Sequence, residues 1–234
     1  DGRTDGDGPK KVVAIMGGHG TPRTDPFFEK VVRISRDLTR KGYFVASGGG
    51  PGMMEAANLG AWLANGEDEL LDKSMEILSA APVYTDKDYF ATAKEVINLH
   101  PDGAASVAIP TWFYGHEPSN LFSRWIAKYF SNSLREDGLL AIARYGVIYT
   151  PGSAGTTQEI FMDAAQNHYG TFDFVSPMVF LGRDRFETQT GLFSTLKNLA
   201  QGRQYADLLG ISDDPKEVVE LIERLRPVPY QTHT

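Results

Sequence analysis

Cysteine is absent from this chain of 234 residues. Disulfide bonds, a thiolate nucleophile and cysteine-ligated metal are therefore excluded. The five histidines are scattered without the spacing of metal ligands, so no metal is expected. No apolar run approaches the ~20 residues that a membrane helix needs. We therefore expect no membrane partner.

Positive charge is also scarce, because 23 Lys and Arg stand against 30 Asp and Glu, a net charge of −7. Nucleic acids bind to broad basic surfaces, so no nucleic-acid partner is expected. A single mononucleotide can still be held by local backbone N–H groups. No signal peptide is visible, and the cytoplasm is the expected location.

The composition, 41% hydrophobic and 23% charged, is typical of a globular protein with a substantial core. Residues 1–10 are polar and glycine-rich, which predicts a flexible leader. Residues 11–234 have the length of one domain, with a helical insertion predicted at about 66–100.

Three short apolar segments each run into a glycine-rich turn and then into a predicted helix. Lys11–Met16 leads to Gly17-Gly18-His19-Gly20, and a helix is predicted from Asp25, with Pro26 at its first position. Tyr43–Ser47 leads to Gly48–Gly52 and a helix from Met53. The third segment, Val147–Thr150, leads to Pro151–Thr156 and a helix from Thr157.

Strands and helices alternate along the rest of the chain as well. Further strands are predicted at 106–109 and 177–181, and amphipathic helices at 121–133 and 214–225. The fold class is therefore α/β, a Rossmann-like parallel sheet with helices on both faces in a single domain. Parallel strands end at one sheet edge, where we expect the three glycine turns to meet.

The turn before Glu159 has the chemistry of a phosphate site. Glycine admits a phosphate close to the backbone, and the N–H groups that open the helix donate to it. Glu159 is then unexpected, because a carboxylate repels a phosphate unless it faces another part of the ligand. The alternative is that Glu159 in a first helical turn only complements the helix dipole.

The segments GGGPGMMEAAN (48–58) and PGSAGTTQE (151–159) resemble the paired signatures of the LOG family, the second usually written PGGxGTxxE. The resemblance covers roughly residues 11–181. Members are nucleoside 5′-monophosphate phosphoribohydrolases, formerly described as lysine decarboxylases. The resemblance implies hydrolysis of a nucleotide's N-glycosidic bond to free base and ribose 5-phosphate, without a cofactor. Decarboxylation has little support, because no pyridoxal-phosphate lysine context is present.

The resemblance assigns catalysis to Glu159, the last residue of the motif, and to an arginine about fifteen residues before its proline. Arg135 lies sixteen residues before Pro151 and fits best, although Glu136 replaces the usual lysine and Gly138 is expected to interrupt the helix. Arg124 is the alternative. Ser153 replaces a glycine of the motif, and Gln158 stands where many members carry an acid.

The predicted substrate-binding residues come from the glycine turns and the segments that flank them. They are Gly17, Gly18, Ser47, Gly48, Gly49, Gly50, Met53, Glu55, Asn120, Arg124, Pro151, Gly152, Ser153, Ala154, Gly155 and Thr156. The expected ligand is an AMP-like nucleoside 5′-monophosphate.

Two other features have open interpretations. His116 and Glu117 suggest either acid–base chemistry or a loop beside the base, and Trp112, Phe113 and Tyr114 either stack on a purine or fill core or an interface. The resemblance also implies a homodimer or higher homo-oligomer, with residues 122–130 as the candidate contact. A different class of function, a nucleotide sensor or carrier that keeps the cradle without hydrolysis, stays open because of Ser153, Gln158 and the arginine register.

Overall fold

The computed structural model describes residues 10–112 and 118–231. Most of the predicted leader, and Phe113, Tyr114, His116 and Glu117, lie outside the described residues. The strands are β1 Lys11–Met16, β2 Tyr43–Ser47, β3 Val107–Ala108, β4 Trp125–Ile126, β5 Val147–Tyr149, β6 Phe174–Val175, β7 Met178–Leu181, β8 Leu209–Ser212 and β9 Val228–Pro229. The α-helices are α1 Pro26–Arg40, α2 Met53–Trp62, α3 Asp68–Ser79, α4 Tyr89–Leu99, α5 Asn132–Ile142, α6 Ala154–Tyr169, α7 Leu192–Ala200 and α8 Pro215–Arg224.

Seven strands form one parallel sheet in the order β4-β3-β2-β1-β5-β7-β8, and this confirms the predicted Rossmann-like fold. One face of the central strands packs against α1, α2 and α8, and the other against α5, α6 and α7. Because both faces are covered, β1, β5 and β7 are almost continuously apolar. Helices α3 and α4 pack against each other beyond α2.

Local sequence signals place the first crossover helix as predicted. The Asp25 side chain accepts a hydrogen bond from the Phe27 N–H at 2.7 Å, and Pro26 occupies the first helical position. The helix ends before Gly42, whose φ is +83°. The capped helix therefore returns the chain to the sheet edge with the geometry that parallel pairing of β1 and β2 requires.

The helix predicted at 121–133 is wrong. Backbone pairing dominates this segment: Trp125 N–H donates to the Ser106 carbonyl at 3.1 Å, and Ala127 N–H to the Ala108 carbonyl at 2.9 Å. The segment therefore forms β4 at the sheet edge. Tertiary hydrogen bonding to the free edge of β3 has overridden the helical spacing of the apolar residues.

Two helix boundaries also differ from the prediction. Gly138 does not interrupt a helix but lies inside α5. Helix α6 begins at Ala154, three residues before the predicted start, so Glu159 lies in its second turn. The dipole explanation of Glu159 loses its basis, because the dipole effect falls off within the first turn.

Candidate functional site

The three glycine turns meet at the carboxyl edge of the sheet, as predicted. Gly18 N–H donates to the Pro151 carbonyl, and Met53 N–H donates to the Gly18 carbonyl, both at 3.0 Å. Between β1 and β5 the following helices leave toward opposite faces of the sheet. This is the topological switch point at which open α/β sheets bind ligands.

Several of these glycines cannot be replaced without moving their neighbours, and Gly52 and Gly48 are examples. A Cβ on Gly52, whose φ is +65°, would overlap the carbonyl oxygens of Gly18 and His19. A Cβ on Gly48 would lie 2.7 Å from Met54 Sδ and 3.2 Å from Arg135 Nη1. Glycine therefore lets the turns pack together and lets the Arg135 guanidinium lie against the backbone.

A buried amide network fixes the Gly48–Gly50 turn. Asn120 donates from its backbone N–H to the Gly49 carbonyl at 2.9 Å and from Nδ2 to the Gly50 carbonyl at 3.1 Å. Asn58 Oδ1 accepts from Asn120 Nδ2 at 2.9 Å and from Ser47 Oγ at 2.7 Å. Ser47 and Asn120 therefore support the turn from the protein interior, where both side chains are buried.

The start of α6 presents donors toward the edge. Ser153 and Ala154 are exposed, and the N–H groups of Ala154, Gly155 and Thr156 have no acceptor among the residues that the structure describes. Arg185, which the sequence analysis missed, donates from Nη2 to the Gly152 carbonyl at 2.7 Å. Its sequence signal is its position just after the carboxyl end of β7.

Arg135 and Glu159 come together across helices α5 and α6. Arg135 Nη1 lies 3.3 Å from Glu159 Oε1, and Nη2 lies 3.3 Å from Glu136 Oε1. Asn132 Oδ1 accepts from the same guanidinium at 2.6 Å. All three charged side chains are buried. One guanidinium therefore serves two carboxylates.

Burial raises the pKa of Glu159 to about 7, against the opposing effect of the Arg135 guanidinium, and the nearby Glu136 carboxylate adds to the rise. One turn further along α6, burial raises the pKa of Asp163 to about 7, although its carboxylate accepts a hydrogen bond from the Tyr149 hydroxyl at 2.8 Å. Glu159 can therefore gain or lose a proton near neutral pH.

A cleft opens beside this group. Gly48, Gly49, Gly50 and Arg135 line it, together with residues that were not predicted: Met54, Pro110, Thr111, Pro118, Ser119 and Lys128. Lys128 also lies over the Trp112 ring, with Nζ 3.8 Å from the ring centre. The cleft is thus lined by one glycine turn and by two cationic side chains, Arg135 and Lys128.

Gln158 explains two departures from the LOG pattern at once. Its Nε2 donates to Glu136 Oε2 at 2.7 Å. An acid at position 158 would face the Glu136 carboxylate, so a neutral amide fits where Glu136 is present. The two side chains that depart from the pattern, at 136 and 158, are thus in direct contact.

Two predicted binding residues lie elsewhere. Both oxygens of Glu55 accept hydrogen bonds from Arg23, at 2.6 and 2.8 Å, and this carboxylate is 1% exposed. Arg124 Nη2 donates to the Gly103 carbonyl at 3.1 Å, and its guanidinium lies 5.9 Å from the Trp62 ring centre. Neither side chain lines the cleft, so the structure does not bring these two predicted residues to the candidate site.

A second cavity lies on the α3–α4 side of the glycine turns. Its lining includes Gly20, Thr21 and Gly52, and His19 packs edge-to-face on Tyr84 with ring centres 6.3 Å apart. Within residues 10–112 and 118–231, no three metal-ligating side chains cluster. No helix in the same ranges is long and apolar enough to cross a bilayer.

No family model matches the sequence, and the comparison with curated proteins finds no similar sequence. Similar solved structures include the Moco carrier protein of Chlamydomonas reinhardtii, with a TM-score of 0.58 and 14% identity over 92% of this chain and 97% of that one. The molybdenum cofactor binding protein of the phototrophic bacterium Rippkaea orientalis gives 0.57 and 16%, over 92% and 96%. The structural-genomics target TM1055 gives 0.55 and 19%, over 92% and 99%. These likenesses establish the fold that the chain shares with them.

Proposed function

We propose that the carboxyl edge binds a nucleoside 5′-monophosphate and that Glu159 promotes hydrolysis of its N-glycosidic bond. The observation that carries the proposal is the pairing of Arg135 with a buried Glu159 beside the glycine-lined cleft, at 3.3 Å. The shared fold and the two glycine-rich motifs support membership of the LOG family. The products would be free base and ribose 5-phosphate.

Cleavage of the ribose–base bond builds positive charge on the anomeric carbon. An ionised Glu159 close to that carbon would stabilise this charge and orient the attacking water. Because the pKa of Glu159 is about 7, the same carboxylate can accept the proton of that water near neutral pH. Arg135, which contacts Glu159 at 3.3 Å, would assist either the phosphate or the departing base.

The remaining parts of the sheet edge would position the nucleotide. The free N–H groups at the start of α6 suit the 5′-phosphate, and Gly18 and Gly152 let the two turns pack closely beside those donors. The Gly48–Gly50 turn would face the ribose, next to Arg135. Holding the nucleotide in one orientation is itself a large share of catalysis.

A second candidate function is that of a carrier or sensor that binds a phosphorylated heterocycle without cleaving it. Two similar structures are described as a Moco carrier protein and a molybdenum cofactor binding protein. In this chain the Glu159 carboxylate contacts Arg135 and its side chain is only 10% exposed, which also suits a binding role. The cradle would then serve affinity alone.

Incubation with a panel of nucleoside monophosphates separates the two functions. Chromatography for free base and ribose 5-phosphate should detect turnover in the wild type. Calorimetry should give AMP a far higher affinity than adenosine, because the α6 donors would otherwise face no charge. Tight binding of AMP with no product from any monophosphate supports the carrier, and equal affinity for AMP and adenosine contradicts both.

We also propose that the β4 edge is a contact between copies of the chain. Phe122 is buried, but Trp125, Phe130 and Leu134 are 61%, 70% and 62% exposed. Exposed apolar side chains grouped at an open sheet edge are typical of an interface. Light scattering should give at least a dimer for the wild type at micromolar concentration, and Trp125→Lys should shift it toward monomer. A monomeric wild type contradicts this proposal.

A further inference from the structure

The charges at the candidate site do not balance. Arg135 contacts Glu159 and Glu136, each at 3.3 Å, and the three side chains are between 2% and 10% exposed. Within the described part of the chain, no other Lys or Arg forms an ion pair with either carboxylate. Two buried carboxyl groups therefore compete for one cation.

The competition is unequal. Glu136 accepts hydrogen bonds from Asn132 Nδ2 and Gln158 Nε2, both at 2.7 Å, in addition to Arg135. The Glu159 carboxylate accepts one bond, from Arg135 Nη1 at 3.3 Å. Among the described residues, donors thus collect on Glu136 and leave the Glu159 carboxylate with a single long hydrogen bond, although only Glu159 belongs to the glycine-turn motif.

We propose that Glu136 is a positioning residue that draws the Arg135 guanidinium away from Glu159 and so leaves Glu159 free to exchange a proton, with Gln158 as the donor that makes this second carboxylate tolerable. The role of Glu159 as a catalytic base rests on the proposed function. The sharing of Arg135 between the two carboxylates does not. Glu159 then acts as a base toward water instead of a permanent anion locked to arginine.

The surroundings of Glu159 agree with this role. Burial raises its pKa to about 7, Arg135 opposes the rise, and Glu136 adds to it. The other titratable groups near it are Asp163, one turn away on α6, and Tyr149 on β5, whose hydroxyl lies 3.5 Å from the Glu159 backbone carbonyl oxygen. Neither places a cation beside the Glu159 carboxylate.

Replacement of Glu136 by glutamine tests the proposal directly. The Glu159 side-chain carboxyl is titrated by ¹³C NMR in the full chain, with its signal identified by loss in Glu159→Gln. Glu136→Gln should lower the titration midpoint of Glu159 by about one pH unit or more, because Arg135 is no longer shared. The acidic limb of the pH profile of kcat/KM should move by the same amount in the same direction.

Asp137→Asn is the matched control, because Asp137 lies on the same helix, is exposed and contacts Gln166 instead of Arg135. It should leave the Glu159 midpoint in place. Gln158→Glu, at an exposed position, should move the midpoint upward by adding a carboxylate beside Glu136, and it provides a second test if Glu136→Gln folds poorly. An unmoved midpoint in both variants, or an equal shift in Asp137→Asn, overturns the proposal.

The outcomes separate this inference from the proposed function. A shifted midpoint in a protein that cleaves no nucleotide supports the charge division and contradicts hydrolysis. Active hydrolysis with an unmoved midpoint supports the function and contradicts the role of Glu136.

Discussion

Two buried arginine–glutamate pairs lie at the ends of this molecule's glycine turns, and they are built differently. Arg23 grips Glu55 through two nitrogens, at 2.6 and 2.8 Å, while its guanidinium lies 3.6 Å from the centre of the Tyr89 ring. Arg23 Nη1 also donates to Thr92 Oγ1 at 2.9 Å and to the Ala81 carbonyl at 3.1 Å. Every charge in this pair has a partner.

The Arg135–Glu159 pair has one long contact instead of a bidentate fork, and its cation is shared with Glu136. The comparison shows that two buried arginine–glutamate pairs in one protein can differ in how completely the arginine satisfies the carboxylate. Arg23–Glu55 ties α2 to the α3–α4 region and serves structure. Burial raises the pKa of Glu159 to about 7 against the opposing effect of Arg135, and a carboxylate perturbed in this way suits the proposed chemistry.

The largest expected effect is on the structural pair. Glu55→Gln leaves the Arg23 guanidinium buried without a carboxylate, which should lower the free energy of unfolding by about 3–5 kcal/mol. Urea denaturation measures the loss. Glu29→Gln is the control, because Glu29 pairs with Arg33 at the surface and should change stability by less than about 1 kcal/mol. Equal losses of unfolding free energy in Glu55→Gln and Glu29→Gln would contradict the structural role of the buried pair.

The next effect separates function from stability. Glu159→Gln should lower kcat on the best monophosphate by on the order of 10² or more, through loss of the charge that faces the anomeric carbon. Stability at neutral pH should hold, because Arg135 retains Glu136 and the buried carboxylate is gone. Steady-state kinetics and urea denaturation on the same preparation provide both values. An unaltered kcat with a marked stability loss would make this pair structural as well.

A third test uses pH. The folded-state pKa of Asp163 is about 7, above its ordinary value of 3.8, so the folded chain holds more protons between these values. Stability contributed by this group is present below about pH 4 and is lost as pH rises toward 7. Asp163→Asn imitates the protonated carboxyl, so its free energy of unfolding should match that of the wild type at pH 4 and exceed it by roughly 4 kcal/mol at pH 8. Parallel stability curves at all pH values would contradict the raised pKa.

The smallest effect concerns the cradle. Arg185→Gln removes the bond to the Gly152 carbonyl and should weaken AMP binding about 10-fold, while adenosine binding stays the same. Arg183→Gln is charge-matched and contacts the Ile211 carbonyl, so it should change neither affinity. Calorimetry with both ligands measures the difference. Equal weakening of AMP binding by the two variants would show that Arg185 acts only through its charge and not through its contact with Gly152.

The sequence predicted what depends on neighbours along the chain. Strand-to-glycine joints, the Asp25 cap and the parallel sheet follow from local patterns, and the motif register brought Arg135 and Glu159 together. Contacts between distant segments were not predictable. The Glu55 carboxylate accepts hydrogen bonds from Arg23, and Gln158 donates one to Glu136. The segment at 121–133 has helical spacing, yet it pairs with β3 because that edge offered hydrogen bonds that no local pattern records.

The central position of β1 has a consequence for how the molecule is made. One edge of β1 pairs with β2, close in sequence, but the other pairs with β5, and Thr150 Oγ1 reaches the Met16 carbonyl across 134 residues. Closing so long a loop is slow, because its entropy is lost before the contact is gained. Until β5 docks, β1 is an open apolar edge that can capture another strand. We therefore expect the β1–β5 junction to form after the β1–β2 pair, and a ligand bound at this edge would stabilise that long-range junction.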